Sequence, residues 1–235
     1  MKDQQIKHIA VIDPATSHPE LDSFNLLARM SPVPLSYHLP CLFGMDSLRL
    51  SEKSIAAIII MGSGASVHEE LKWQSDLMAW ISSILESSDQ SGKRIPMLGL
   101  CYGHQALAHL LGGKIDFIYE DRKKLQGQRN IDLKKGEFWG DAKSGPVIVS
   151  HRETVISLGP ECIITATSDT IVIEGFHHPE KLVWGFQAHP EAGLGFLANQ
   201  KITIDDPHQN IRFGHALMKS FLDWTASYVA GQATD

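Results

Sequence analysis

The fold of this chain is decided by the stretch Ile95-Pro-Met-Leu-Gly-Leu-Cys101-Tyr-Gly-His-Gln-Ala-Leu-Ala-His-Leu-Leu-Gly-Gly113. Its first six residues form an apolar run, which is typical of a parallel strand covered on both faces. Leucines then recur at helical spacing until two glycines end the pattern. The stretch therefore predicts a buried strand, a sharp turn and a short helix, with Cys101 at the turn.

The cysteine is flanked by Gly99 and Gly103, two residues before and two after it. Side chains at these positions would collide where the chain doubles back, so the spacing indicates a nucleophile elbow. The cysteine would lie at a helix N-terminus, whose partial positive charge favours negative charge on the sulfur. A single Gly-x-Cys-x-Gly motif is equally typical of a structural cysteine, and other residues have to decide between the two interpretations.

A second apolar segment, Leu182-Val-Trp-Gly-Phe-Gln-Ala-His189-Pro-Glu191, ends in a histidine, a proline and a glutamate. Pro190 prevents helix formation and stiffens the turn, so we expect the side chains of His189 and Glu191 to lie close together. A cysteine nucleophile needs an imidazole as base and acid, and the imidazole needs an acceptor that fixes its tautomer. Cys101, His189 and Glu191 are therefore the candidate catalytic residues.

These two segments resemble the motifs of the class I, or triad, glutamine amidotransferase family, and most closely those of the glutaminase part of GMP synthase. Two further segments match in the same order along the chain. Ile58-Ile-Ile-Met-Gly62-Ser-Gly-Ala-Ser66 is similar to the family's Gly-Gly-Pro loop, and Ser150-His151-Arg-Glu-Thr-Val155 to its Ser-His-x-Asp-x-Val segment. The resemblance runs from about residue 56 to 192, and four motifs in register are far more specific than one.

The chain departs from the family pattern at three places. Its loop reads Gly62-Ser63-Gly64, which keeps the backbone donors but lacks the proline; Glu153 stands in place of an aspartate. Ala188 replaces a bulkier, often aromatic, residue before the histidine. These departures concern specificity more than the chemistry.

The resemblance also implies the roles of other residues. The backbone N–H groups of Ser63 and Tyr102 would form the oxyanion hole, in which one donor contributes roughly 10²-fold to 10³-fold in rate. Gly62, Gln105, Ser150 and His151 would line the glutamine pocket. Cys101 would attack the side-chain amide of glutamine, and water would then hydrolyse the γ-glutamyl thioester.

Apolar strands alternate with helical stretches along the chain, which predicts an α/β fold with the site at the carboxyl ends of strands. We expect an open, mostly parallel, flavodoxin-like sheet flanked by helices, with an antiparallel extension after residue 114, and a single amidotransferase domain over residues 1–235. The polar stretch from Tyr119 to Asp141 is the expected mobile region. Strands are expected at 8–12, 56–61, 147–150, 162–167, 170–176 and 181–187, and helices around 69–86 and 211–229.

The composition fits a soluble enzyme. The chain has 235 residues, of which 43% are hydrophobic, and this is enough for one sizeable core. A net charge of -6 argues against nucleic acid or an anionic membrane as the main partner. No segment has the roughly 18 apolar residues of a membrane helix, and the N-terminus lacks the apolar region of a signal peptide, so we expect a cytoplasmic protein.

Three cysteines, Cys41, Cys101 and Cys162, are an odd number without close spacing, which suits free thiols in a reducing compartment. Cysteines and histidines do not have the spacing of a metal site, and we expect neither a metal nor a cofactor. The short basic run Arg122-Lys-Lys124 is interpreted either as a solvated loop or as a docking point for an acidic partner.

The substrate is left open between glutamine and a γ-glutamyl compound. The chain lacks the Ser-Gly-Gly-x-Asp-Ser loop of an ATP-pyrophosphatase module, so any synthase would be a separate subunit. One alternative is a stand-alone hydrolase of γ-glutamyl peptides; another is a regulatory or binding module without catalysis. An esterase of the α/β-hydrolase type would place its acid well before the histidine, whereas Glu191 follows His189 by two residues.

Overall fold

The structure, a computed structural model, describes residues 6–91 and 94–232. Its strands are β1 (His8–Ile12), β2 (Leu35–His38), β3 (Ile55–Ile60), β4 (Met97–Leu100), β5 (Lys114–Phe117), β6 (Leu125–Leu133), β7 (Lys143–His151), β8 (Glu153–Ser157), β9 (Ile163–Thr167), β10 (Gly175–His178) and β11 (Val183–Phe186). Its α-helices are α1 (Leu21–Met30), α2 (Pro40–Phe43), α3 (Asp46–Ser51), α4 (Lys72–Ser91), α5 (Tyr102–Leu110), α6 (Leu194–Gln200), α7 (Pro207–Asn210) and α8 (Arg212–Gln232).

A nine-stranded sheet carries the fold, in the order β2-β1-β3-β4-β11-β10-β9-β6-β7. The first five strands run parallel to their neighbours. The remaining pairs are antiparallel, and β5 and β8 form a separate antiparallel pair. The α/β fold with a mostly parallel central sheet and an antiparallel extension is therefore confirmed.

Two apolar layers cover the two faces of the parallel strands. Ile58 and Ile60 of β3 pack in one layer, which includes residues of α4 and α5. Ile59 lies in the other layer, together with Phe221 and Leu222 of α8. Successive side chains of a strand point to opposite faces, so an unbroken run of isoleucines is what a doubly covered strand requires.

The topology brings three loops to one edge of the sheet. β4 lies between β3 and β11, and Leu100 pairs in register with Phe186. The backbone N–H of Cys101 donates to the carbonyl of Phe186 at 2.9 Å. Because the carboxyl ends of parallel strands share an edge, the segments after residues 60, 100 and 186 emerge together.

Several elements differ from the prediction. The stretch 119–141, expected to be mobile, contains the nine-residue strand β6, which pairs with β7 along its whole length. Helix α1 and strand β2 were not predicted, and in place of the strand expected at 170–176 the structure has β10, which begins at Gly175 and ends at His178. In the described part of the chain, none of the helices has the length and apolar character needed to cross a membrane.

Candidate active site

The turn at Cys101 has the geometry expected of an elbow. The cysteine has φ 51° and ψ -101°, a conformation that residues other than glycine rarely adopt, and it is the N-cap of α5. A Cβ at Gly99 would lie 2.3 Å from the carbonyl oxygen of Gly103, and one at Gly103 would lie 2.2 Å from that of Ile60. The predicted steric reason for both glycines is confirmed.

The structure brings the three candidate catalytic side chains to one place. His189 Nδ1 lies 2.9 Å from Glu191 Oε1, and both side chains are buried. This contact orients the Nδ1 hydrogen toward the carboxylate and leaves Nε2 free to face the sulfur. A Cβ at Gly62 would lie 2.6 Å from His189 Cε1 and 3.5 Å from Cys101 Cβ, so the loop after β3 packs directly against both residues.

Charge dominates the environment of the imidazole. Burial lowers the pKa of His189, but the charge of a Cys101 thiolate, the charge of Glu191 and hydrogen bonds to both together raise that pKa to about 10. Phe196 packs on the imidazole with ring centroids 4.5 Å apart. The net effect of these groups is an imidazole whose pKa lies well above its ordinary value.

The loop Gly62-Ser63-Gly64 uses the Ser63 hydroxyl for its own structure. This hydroxyl donates to the Pro14 carbonyl at 2.7 Å and accepts from the N–H of Ala65 at 3.1 Å. Tyr102 is the first residue of α5, where a backbone N–H has no intrahelical partner. The oxyanion role of the two backbone N–H groups stays a prediction.

A cavity of about 1010 Å³ opens above Cys101. It is lined by His189 and Glu191 and by all four residues expected in the glutamine pocket, namely Gly62, Gln105, Ser150 and His151. Ser63 also lines it. The Ser150 carbonyl oxygen lies 3.9 Å from Cys101 Sγ, which places Ser150 beside the candidate nucleophile.

The polar side-chain atoms of two expected pocket residues form hydrogen bonds with other residues of the protein. Gln105 Nε2 donates to the Glu153 carbonyl at 2.8 Å and contacts Gln187 Oε1 at 3.2 Å. His151 Nδ1 lies 2.9 Å from the same carbonyl, and Arg129 donates to its Nε2 at 3.0 Å. Burial, reinforced by the charge of Arg129, lowers the pKa of His151 to about 3. His151 is therefore neutral, with its proton on Nδ1.

Arg129 was not identified from the sequence. It forms a buried ion pair with Glu174, in which Nε lies 2.6 Å from Oε1, and the Ser168 hydroxyl donates to the same carboxylate. The pair supports His151 from behind the cavity. Arg129 lies in the stretch 119–141, which is expected to be mobile, and Glu174 in the strand expected at 170–176, so no motif marks either residue.

Asp13 was missed as well, although it organises the rim of the cavity. It is fully buried, and its carboxylate accepts from the N–H groups of Ala15 and Glu20 at 3.0 and 2.8 Å and from the Tyr37 hydroxyl. Residues 15–21 line one side of the cavity. Asp13 therefore fixes the shape of that side.

The two other cysteines have different surroundings. Both are half-buried and free, whereas Cys101 is buried at the elbow. Burial raises the pKa of the Cys41 thiol, and burial together with Glu161 raises that of Cys162 to about 11. Neither thiol lines the cavity.

The chain is similar to known proteins both in sequence and in fold. A model of the family described as glutamine amidotransferase class-I matches residues 45–202. One of the subunits of the GMP synthase (glutamine-hydrolyzing) of Methanosphaera stadtmanae is 38% identical over 97 residues, which are 41% of this chain and 52% of that protein. GMP synthase (glutamine-hydrolyzing) of Corynebacterium efficiens is 26% identical over 195 residues, 79% of this chain and 32% of the relative. The chain thus matches about half, or less, of the length of these relatives.

Solved structures share the fold at low sequence identity. A Thermoplasma acidophilum protein described as a GMP synthase subunit has a TM-score of 0.71 at 19% identity, over 97% of this chain and 98% of that one. A glutamine amidotransferase from Thermotoga maritima has a TM-score of 0.64 at 18% identity, over 93% and 97%.

Proposed function

The chain belongs to the class I glutamine amidotransferase family, and we propose that it hydrolyses the side-chain amide of glutamine through a triad of Cys101, His189 and Glu191. The observation that carries the proposal is the convergence of these three side chains on one cavity, with His189 Nδ1 2.9 Å from Glu191 and a thiolate charge contributing to the raised pKa of His189. A structural cysteine would not require a strained backbone at the N-terminus of a helix.

The reaction follows from these groups. The Cys101 thiolate attacks the amide carbon of the substrate, and a C–S bond forms as the carbonyl oxygen becomes negative. The His189 imidazolium gives its proton to the leaving nitrogen, the C–N bond breaks and ammonia departs. His189 then takes a proton from water, which attacks the thioester and releases glutamate.

The oxyanion would be stabilised by the backbone N–H groups of Ser63 and Tyr102. Occupation of the Ser63 hydroxyl by Pro14 and Ala65 supports a role of the backbone rather than of the side chain. Glu191 would orient His189 and stabilise its charge, without itself moving a proton.

We further propose that residues 1–235 form one amidotransferase domain and that the ammonia passes to a separate synthase subunit. Strand β1 and helix α8 lie outside the matched residues 45–202, yet they pack in the same apolar layer as the matched strands, which supports a single domain. Relatives that are named as one of the subunits of a GMP synthase support a separate partner.

A second candidate is a stand-alone hydrolase of γ-glutamyl compounds, which breaks the same kind of bond. The cavity favours it, because about 1010 Å³ lies at the upper end of the roughly 300–1,000 Å³ typical of pockets for drug-sized ligands. Glutamine is smaller than such a ligand.

The test is the release of glutamate from glutamine and from γ-glutamyl peptides by the purified chain and by a Cys101→Ala variant. Turnover of either substrate that disappears in the variant supports the triad. Turnover that survives in the variant contradicts it, and a chain that is inactive on all substrates yet binds them would be a binding module.

A further inference from the structure

Three cationic side chains, those of Arg122, Lys124 and Arg152, line the same cavity as Cys101. None of the three has a carboxylate within ion-pair distance in residues 6–91 and 94–232. The chain as a whole has 21 lysines and arginines against 27 acidic residues. Four glutamates, Glu20, Glu69, Glu153 and Glu191, line the cavity as well, but in the described part of the chain none of them forms an ion pair with the three cations. The three unpaired cations are therefore a local feature and do not reflect an excess of positive charge.

Neutral groups hold two of these cations in position. The Arg122 guanidinium lies over the ring of Phe117, 4.5 Å from its centroid, and Lys124 Nζ donates to Gln200 Oε1 at 2.9 Å. A ring face and an amide oxygen orient a cation without neutralising its charge. The charge stays available to a ligand in the cavity.

The neighbouring Lys123 shows the contrast within one basic run. Its Nζ lies 2.7 Å from the Asp121 carboxylate, and the residue does not line the cavity. Arg122, Lys124 and Arg152 are exposed like Lys123, but they line the cavity and have no carboxylate partner among the residues that the structure describes. The run Arg122-Lys-Lys124 is thus divided between a solvated ion pair and two cations that face the site.

Lys124 lies close to the reacting centre. Gln200 Oε1, which holds its ammonium group, also accepts from the Ser150 hydroxyl at 3.3 Å, and the Ser150 carbonyl lies 3.9 Å from Cys101 Sγ. Partial burial lowers the pKa of Lys124; a thiolate at Cys101 raises it and the charge of Arg152 lowers it further. Lys124, Arg152 and Cys101 therefore share one electrostatic environment.

We propose that Lys124 and Arg152, assisted by Arg122, bind a carboxylate on the leaving group of a γ-glutamyl substrate. This inference rests on the proposed function, because it assumes acylation of Cys101, and it selects γ-glutamyl compounds with an anionic leaving group as the preferred substrates. Glutamine has a single carboxylate, on its α-carbon. It would leave much of the cavity empty and these three cations without a partner.

The bond changes are those of amide hydrolysis. Cys101 forms the thioester as the C–N bond breaks, His189 protonates the leaving amine, and water restores the thiol and gives glutamate. The amine departs with its carboxylate unchanged, so the cations contribute to binding and orientation and take no part in proton transfer.

The direct test compares γ-glutamylglycine with γ-glutamylglycinamide, which have nearly the same size and differ in the charge at the end of the leaving group. The amine of glycinamide is the weaker base and the better leaving group, so intrinsic reactivity does not favour the acid. For the unmodified protein we expect kcat/KM to be at least about tenfold higher for the acid, which is the scale of one favourable contact between charges near a protein surface. A Lys124→Gln/Arg152→Gln double variant should lose this preference, so that its kcat/KM values for the acid and the amide become equal. Lys123→Gln is the matched control and should retain the preference.

Two further substrates show which carboxylate the cations recognise, that of the leaving group or that on the α-carbon. Glutamine and its α-amide report on recognition of the α-carboxylate, which should change little in the double variant. The proposal is overturned if the acid and the amide react equally well, if the preference survives in the double variant, or if only the α-carboxylate depends on these cations. Failure of the proposed function looks different, because then no γ-glutamyl substrate would be turned over in a Cys101-dependent way.

Discussion

At the scale of single residues, His189 combines two partners with different roles. In the proposed triad Cys101 would supply the negative charge that reacts, whereas Glu191 Oε1 lies 2.9 Å from Nδ1 and contributes a second charge that raises the pKa of the imidazole. Burial lowers that pKa, but the two charges and their hydrogen bonds together outweigh it. A raised pKa suits the role of acid that we propose for His189.

A Glu191→Gln variant tests this balance. The amide oxygen can still accept from Nδ1, but one charge that raises the pKa is gone, so His189 loses its proton at a lower pH. We expect kcat/KM to fall by about 10²-fold, the lower end of the range attributed to general acid–base catalysis. In the profile of kcat/KM against pH, the alkaline limb should move from near pH 10 toward neutrality.

The measurement is a pH–rate profile of the variant beside those of the unmodified protein and of Cys101→Ala. An alkaline limb that does not move would show that the Glu191 charge has no influence on His189. A variant as inactive as Cys101→Ala, with an unchanged melting temperature, would mean that the carboxylate is essential and not merely orienting.

At the scale of elements, the glycine loop after β3 determines how close the imidazole and the sulfur can come. A Cβ at Gly62 would lie 2.6 Å from His189 Cε1, whereas one at Gly64 would have only Thr16 Oγ1 near it, at 4.0 Å. The two glycines lie in the same loop, so substitutions at these positions form a matched pair.

We expect Gly62→Ala to displace the imidazole and to lower kcat by about 10²-fold, the cost of misplacing a catalytic group by roughly 1 Å. Gly64→Ala should stay close to the unmodified protein. Steady-state kinetics on both variants, with urea unfolding as a check on stability, measures the difference. Equal activity of the two variants would contradict the close packing of this loop on His189.

The elements that carry motifs were predictable because their physical causes are local. The apolar run of β4, the glycines around Cys101 and the proline after His189 each constrain the backbone within a few residues. Strand β1 was predicted at its observed bounds for the same reason.

Elements whose stability comes from distant partners were not predictable in this way. Strand β6 is polar and mostly exposed at its start, and it is ordered by β7 across nine paired residues. The ion pair between Arg129 and Glu174 joins positions 45 residues apart, which no local pattern reveals. The residues behind the site could therefore not be predicted from the sequence, whereas local motifs indicated the three candidate catalytic residues.

At the scale of the whole molecule, neutral histidines in the interior link stability to pH. Burial lowers the pKa of His104 to about 3, against a backbone hydrogen bond at Gly185, and it lowers the pKa of His38 and His177 to about 4. Below pH 6.5 the unfolded chain binds protons at these positions that the folded protein excludes. Their contribution to stability is present above pH 6.5 and is lost as the pH falls toward 3 to 4.

His104 is fully buried and offers the clearest test. Each pH unit below 6.5 should remove up to about 1.4 kcal/mol at this residue. A His104→Leu variant lacks this proton uptake, so its free energy of unfolding should fall less steeply between pH 6.5 and 4.5 than that of the unmodified protein. Urea unfolding across this range measures both slopes, and parallel curves would contradict the lowered pKa.

The central claim, that Cys101 is the nucleophile of this enzyme, is tested most directly by labelling with a glutamine-like chloroketone followed by mass mapping. Burial keeps the Cys41 and Cys162 thiols protonated, and neither lines the cavity, whereas Cys101 lies beside His189. We expect one equivalent of label on Cys101, none on the other two cysteines, and protection by excess substrate. Equal labelling of all three cysteines, or labelling of Cys101 that substrate does not slow, would contradict the account.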